Sequence, residues 1–371
     1  MHSPSFYNHL AQFIPKMKIK STFTVKHGAN FYQNKPLTFN KHKGTSLLNS
    51  ICFLLSLFIG MSSAFSQEFP KLSDEILLSR LKPNTEKIKV VIDTDTYNEV
   101  DDQFAVVYAL LSPEQMDVEA IYAAPYHNSR SNGPADGMEK SYKEILKLMD
   151  KMGMQHKDLV YRGSKEFLKN KNQPVESDAA RDLVKRAMAS EEPLYVLTLG
   201  APTNVASAIL MEPKIIEKIV VVWLGGKSLE WETAREFNLL QDMESSKLLF
   251  DSGVPLIQVP TEPVTSHLLT TIPELETYLQ GKGPIGDYLI EIFKDYHDNH
   301  YAYSKIIWDI AVIAYVIDSS WFKTEIRHSP ILTDQMTYSV DQSRHFIRLV
   351  TYLRRDKIFG DMFRKIQDHH K

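Results

Sequence analysis

Five acidic side chains crowd one short stretch of this 371-residue chain: Asp93, Asp95, Glu99, Asp101 and Asp102. They follow directly on the apolar run Ile88 to Ile92, and Phe104, Val107, Tyr108 and Leu111 then take up helical spacing. The acids therefore occupy a strand-to-helix loop. Carboxylates this close repel and raise one another's pKa unless a cation sits among them. An oxygen-only donor set suits a hard cation, calcium or magnesium, and not zinc. The preference of acids for a helix N-terminus, worth about 0.3–1 kcal/mol, accounts for Asp101 and Asp102 but not for four acids at the mouth of a buried strand.

The elements that must position such a loop are legible in the hydrophobic pattern. Ile88 to Ile92, Val118 to Ala124, Tyr195 to Leu199, Ile219 to Leu224 and Pro255 to Val259 are continuously apolar rather than alternating. That is the pattern of parallel strands covered on both faces. Between them, Gly137 to Asp150 places Met138, Tyr142, Ile145 and Met149 on one helical stripe, and Pro202 to Leu210 and Asp242 to Phe250 also read as helices. Strand-helix alternation predicts an α/β fold, a single domain with a mostly parallel central sheet flanked by helices. Ligands in such sheets bind at the carboxyl ends of strands, where the acidic loop lies. The tail, Tyr338 to Lys371, reads as a last hairpin or strand and a closing helix.

Composition agrees with a globular protein: 43% hydrophobic, 24% charged, formal net charge −3. That balance gives no reason to expect nucleic acid or an anionic membrane as partner. Residues 1–66 are expected to stand apart from the domain at 67–371. Lys41, His42 and Lys43 precede the apolar run Ile51 to Met61, and Ala64-Phe65-Ser66 then offers small residues for cleavage after Ser66. This order reads as a secretory signal, predicting a periplasmic or secreted protein without stable membrane association after processing. The alternative is an uncleaved anchor, although the run is shorter than the ~20 residues of a spanning helix. Residues 1–40 are long, aromatic and basic for such a signal, and a start at Met17 or later would account for them. The only cysteine, Cys52, lies in the apolar run, so the processed chain has neither disulfides nor thiolate chemistry.

Four segments stand in order, Asp93 to Asp102, Leu199 to Asn204, Gly225-Gly226 with Glu236 to Asn238, and Asp309 with Ala311 to Tyr315, and together they resemble the inosine/uridine-preferring nucleoside hydrolases. The loop from Asp93 to Asp102 resembles the family's amino-terminal Asp-x-Asp-(…)-Asp-Asp signature. Leu199-Gly200-Ala201-Pro202-Thr203-Asn204 resembles its Gly-x-x-Thr-Asn turn, and Gly225-Gly226 followed by Glu236-Phe237-Asn238 its substrate loop. Asp309 with Ala311-Val312-Ile313-Ala314-Tyr315 resembles its last Asp-containing helix, so the likeness runs from Lys89 to Phe322. It implies a calcium-dependent hydrolase that cleaves a ribonucleoside or related riboside to base and ribose, and a homo-oligomer. Carried over, the calcium ligands would be Asp95, Asp102, the Leu199 carbonyl and Asp309. Asp95 would be the general base, with Asp93 orienting the loop and Asp101 accepting from a ribose hydroxyl. Glu236, Asn238 and Asn128 would contact ribose, with His127 as rival to Asn128.

The chain also departs from the family pattern. Thr96-Tyr97-Asn98-Glu99-Val100 makes the first loop two residues longer and replaces its Pro-Gly, bringing Asn98 or Glu99 within reach of sugar or metal. Trp308 stands where the family often has a leaving-group histidine; it can stack on a base but not donate a catalytic proton. Tyr296, His297, His300, Tyr301 and Tyr303, read as a helical segment, are the candidates to replace that acid, His300 foremost among them. Glu230, Trp231 and Glu232 stand where the family has an asparagine, and His267 reads as structural. Two alternatives remain on sequence grounds: a sugar- or nucleoside-binding protein of the same fold, and a phosphatase resembling the haloacid dehalogenases through Asp93-x-Asp95. Tyr97 stands where the latter carry a small hydroxyl residue or Val.

Overall fold

The computed structural model describes residues 69–84 and 86–370, which belong to one compact unit. The charged stretch at Lys41, the run from Ile51, Cys52 and the expected cleavage after Ser66 lie outside the described residues. In chain order, the described elements begin with α1 (Asp74–Arg80), β1 (Ile88–Thr94), α2 (Asp101–Leu110), β2 (Met116–Ala123), α3 (Pro134–Lys151) and β3 (Val160–Arg162). Then come α4 (Asp178–Ala189), β4 (Leu194–Thr198), α5 (Thr203–Met211), β5 (Ile219–Leu224), α6 (Phe237–Gln241), α7 (Met243–Asp251) and β6 (Leu256–Val259). The last third holds β7 (Leu269–Thr270), α8 (Ile272–Leu279), α9 (Gly283–Asp295), β8 (Lys305–Ile306) and α10 (Ile310–Ile317). It closes with β9 (Phe322–His328), β10 (Ile331–Leu332), β11 (Tyr338–Ser339), β12 (Phe346–Leu353) and α11 (Arg355–His369).

Eight strands form one sheet in the order β3-β2-β1-β4-β5-β6-β12-β9, parallel except for the edge strand β9. The five continuously apolar runs are β1, β2, β4, β5 and β6, buried because helices cover both faces. One face packs under α2, α3, α10 and α11 through Phe104, Ile145, Val312 and Phe359; the other packs under α4, α5 and α7 through Leu183, Val205 and Leu249. The tail forms the expected strand and closing helix, β12 pairing with β6 on one side and with β9 on the other.

The chain runs outward from β1 to β2 and β3, then returns to place β4 on β1's other flank. That reversal opens a crevice at the carboxyl ends of β1 and β4, the place where open parallel sheets bind ligands. Two helices end there for an unusual reason. α2 (DDQFAVVYAL) and α10 (IAVIAYVI) are apolar almost all round and are buried against each other and the sheet. Burial on every side fixes them rigidly, and both point their N-termini at the crevice.

Candidate active site

Asp93 is the penultimate residue of β1, fully buried. Its Oδ1 accepts from Asn204 Nδ2 (2.7 Å), and its backbone carbonyl accepts from Leu199 N (2.7 Å). Asn204 also accepts from Ser164 N (2.7 Å), so Asp93 ties β1 to the turn after β4 and the loop after β3. Asp95 lies one residue beyond the strand, pressed against Gly200: a Cβ at Gly200 would come within 2.8 Å of Asp95 Cγ. The Gly of the Gly-x-x-Thr-Asn turn is thus required by close approach of a carboxylate, not by an unusual φ.

Asp101 and Asp102 form the first turn of α2, and Asp309 is the residue before α10. Oxygens of Asp101, Asp102 and Asp309 lie within 4.8 Å of one another, all three buried. Thr94 Oγ1 donates to Asp102 Oδ1 and pairs with Thr96 Oγ1 at 2.8 Å. Two helix N-termini converge on the cluster, and their partial positive charge offsets part of the acids' repulsion.

It does not offset all of it. Burial, with Asp101 beside it, pushes Asp102 up to about 7; burial alone pushes Asp93 up to about 7 against its bond from Asn204. Asp95 and Asp309 are raised well above the usual carboxylate range by burial and then by neighbouring aspartates. Oδ2 of Asp95 and Oδ1 of Asp309 are buried with no hydrogen-bond partner in the protein. Buried acceptors without donors, in a nest of all-oxygen ligands, fit a hard divalent cation. Asp95, Asp102, Asp309 and Leu199 all line the same cavity of about 250 Å³, together with Asp101.

The next part of the lining wall comes from α6 and the ends of β5 and β6. Glu236 caps α6: its carboxylate accepts from Asn238 N (2.9 Å), Leu239 N (3.0 Å) and, ten residues back, Gly226 N (2.8 Å). Burial raises it to about 7 in spite of those three donors. Asn238 Nδ2 donates to the carbonyls of Leu199 (2.6 Å) and Leu224 (3.1 Å), tying together three residues of the lining. Lys227, Arg235, Thr261 and Glu262 complete this wall. None of these four was singled out from sequence. Thr261-Glu262 follows a strand's carboxyl end, and Lys227 and Arg235 adjoin the Gly-Gly and Glu-Phe-Asn motifs, which were the available signals.

At the remaining side, Trp308, Asn98 and Glu99 line the cavity, so both residues of the lengthened loop reach it. Glu99 is ion-paired with Lys305, another residue the sequence reading passed over. Asn128 does not line this cavity but an adjoining one of about 610 Å³, which shares Asn98; Asn128 Nδ2 donates to Asn98 Oδ1 (2.6 Å). His127 is exposed, its backbone N–H donating to Gln241 (2.6 Å).

The segment Tyr296–Tyr303 corrects the sequence reading: it is not helical. α9 stops at Asp295, Ala302 takes a left-handed φ of 52°, and His297 stacks on Tyr303 with ring centroids 4.3 Å apart. His300 shares a hydrogen bond with the Lys294 carbonyl (3.0 Å), Tyr301 is 92% exposed, and none of the five candidate acids lines the carboxylate cavity. Tyr296 comes nearest, lining the adjoining cavity beside Lys305. His267 is structural as expected, its Nε2 bonded to the Leu353 carbonyl (3.1 Å).

Comparison with known proteins points one way. A family model described as inosine-uridine preferring nucleoside hydrolase matches residues 90–358. A probable uridine nucleosidase 2 of Arabidopsis thaliana is 28% identical over 232 residues, 57% of this chain and 70% of that relative. A pyrimidine-specific ribonucleoside hydrolase, RihA of Escherichia coli, is 24% identical over 266 residues, 64% of this chain and 82% of its own length. Among solved structures, a purine-preferring ribonucleoside hydrolase from Gardnerella vaginalis matches with a TM-score of 0.62 at 19% identity, covering 76% of this chain and 99% of that one. An inosine-uridine preferring nucleoside hydrolase from Bacillus anthracis matches with a TM-score of 0.59 at 17% identity over the same shares.

Proposed function

This chain belongs to the inosine-uridine preferring nucleoside hydrolase family, and from that premise we propose that it uses calcium and Asp95 to split a ribonucleoside, or a related riboside, into base and ribose. It is a hydrolase acting on N-glycosyl compounds, with a small-molecule nucleoside as substrate. The observation that carries the finer reading is the meeting of Asp95, Asp101, Asp102 and Asp309 in one buried cavity, from two stretches of chain some two hundred residues apart.

Asp95, Asp102, Asp309 and the Leu199 carbonyl would hold the cation, satisfying the oxygens that otherwise lack donors. A cation held by these residues would supply the positive charge that keeps the acids ionised, a Lewis acid for a vicinal diol and a lowered pKa for nearby water. Asp95 then takes the proton of the attacking water as its oxygen bonds to the anomeric carbon. The C–N bond breaks with its electron pair going to the base, and the surrounding carboxylates favour the positive charge growing on the sugar ring. Asp101 accepts from a sugar hydroxyl, and Asn238 and Glu236 form the facing sugar wall. Asp93 keeps the loop in place through Asn204 and Leu199. Trp308 offers an indole face on which the base can stack. Expected removal of the leader after Ser66 would put the enzyme in the periplasm or outside the cell, as a homo-oligomer; amino-terminal sequencing of the exported protein checks that start.

The test is release of reducing sugar from a panel of nucleosides, with and without a chelator. Turnover that is lost on chelation and restored by calcium supports the reading. Calcium-dependent ribose binding without turnover of any riboside would leave a binding protein instead. Asp95→Asn should abolish turnover in a folded protein, checked by an unchanged circular dichroism spectrum.

A further inference from the structure

The cavity lining holds two cations as well as its acids. Arg235 and Lys227 line it together with the aspartates, and Glu236 and Glu262 are part of the same lining. Arg235 directly precedes Glu236 and is exposed at the rim; among the described residues its guanidinium meets no carboxylate and no other acceptor. Lys227 is more enclosed, its side chain 19% exposed, with Nζ 3.0 Å from Glu262 and 5.8 Å from the Trp231 ring centroid. Glu262 is 39% exposed and can turn to water when another anion takes its place. The N–H groups that open α6 are already taken by Glu236, so an anion at this wall must be held by these two cations.

A furanose gripped by its vicinal diol at the aspartates has two groups left to project: the base at the anomeric carbon and the substituent at C5′. An uncharged C5′ hydroxymethyl gives a guanidinium and an ammonium little to bind. A phosphate there gives a planar guanidinium two oxygens to bridge and the ammonium a third.

We propose that the cavity takes a riboside bearing an anion at C5′, a nucleoside 5′-monophosphate, with Arg235 and Lys227 as the anion-binding pair. This deepens the N-glycoside hydrolase reading and rests on it for the placement of the sugar. The net charge of −3 and the carboxylates of the lining would otherwise discourage a phosphorylated ligand, so Arg235, which meets no carboxylate, and Lys227 are the groups that admit it.

Two measurements on the calcium-loaded protein separate this inference from the reading beneath it. Calorimetric binding of ribose 5-phosphate is compared with ribose, and kcat/KM for uridine 5′-monophosphate is compared with uridine. The wild type should favour the phosphorylated member of each pair by about tenfold or more, as expected for one charge-assisted contact. Arg235→Gln, at an exposed position where the fold tolerates it, should bring the ratio towards unity, and Lys227→Gln should lower it. Ribose 5-phosphate binding no tighter than ribose, or a phosphate advantage surviving both substitutions, overturns the anion site. A phosphate advantage in binding with no turnover of any nucleoside or nucleotide keeps the anion site and overturns the hydrolase reading.

Discussion

Replacing Gly200 with alanine adds one methyl group to the centre of the proposed chemistry, and its effect can be worked from distances. The new Cβ would lie 2.8 Å from Asp95 Cγ and 2.9 Å from its Oδ1, where ordinary contact begins at 3.4 Å. One of the two must retreat by about 0.6 Å, the gap between those distances. The Gly200 backbone is poorly placed to give way, because its carbonyl accepts from Trp223 Nε1 (3.2 Å), itself fully buried. Asp95 therefore moves. A misplacement of 1 Å costs about a hundredfold in rate, so kcat for nucleoside hydrolysis should fall by about ten- to a hundredfold, an added barrier of about 1.4–2.7 kcal/mol. Overpacking costs about 1–3 kcal/mol of stability, lowering Tm by several degrees without unfolding the protein. Gly360→Ala is the control: it lies inside α11, and its nearest neighbour would be Arg364 at 3.6 Å. That variant should keep full activity and gain about 0.5–1 kcal/mol. Steady-state kinetics and melting curves on both variants decide the matter. Wild-type turnover in Gly200→Ala would refute the claim that Asp95 works in the position described.

The remaining expectations follow from the same geometry. Asn204→Ala removes the one side-chain donor to Asp93 and leaves a fully buried carboxyl unpaired, so denaturant unfolding should show a loss of about 2–4 kcal/mol. Trp308→Ala should raise KM for aromatic nucleosides about threefold to tenfold with a smaller effect on kcat, read by steady-state kinetics. Chelation should expose the strain among the acids as a pH trend. Asp93 and Asp102 titrate near 7 in the folded chain against an ordinary 3.8, so the folded state holds protons that the unfolded state has released. Stability of the chelated protein should therefore fall as pH rises from about 4 to about 7 and level off above, and calcium should flatten the trend. Melting scans in chelator that rise across that window would contradict it.

Much of this was legible in the sequence because burial on both faces leaves an unmistakable mark. The five continuously apolar runs became the five central parallel strands, within two residues at each end. The carboxylates were legible because they follow one such run, and Asp309 because an all-apolar helix follows it. β3 escaped notice, being three residues long and only partly buried at the sheet's margin. The stretch from Tyr296 to Tyr303 misled because His297, His300 and Tyr301 share helical spacing, whereas ring stacking and a left-handed residue at Ala302 set its actual path. The same lesson holds for Glu236. Its identity marked it for the sugar, but gave no sign that three backbone N–H groups, one of them ten residues away, also hold it, which only three-dimensional proximity could reveal. Lys227 and Arg235 read as ordinary surface cations in sequence; the fold brings both to the cavity, Lys227 largely buried and Arg235 exposed.

The bond from Gly226 N to Glu236 turns the intervening residues into a clasped loop. One carboxylate fastens both of its ends, and Thr261 N, in the turn after β6, pins the Gly226 carbonyl (2.9 Å). The exposed tip of that loop, Glu230 to Glu232, can therefore be exchanged while Asn238 and the Leu199 oxygen stay in register. A scaffold fastened in this way lets ligand preference drift, or be engineered by loop grafting, without retuning the machinery on the other side of the cavity.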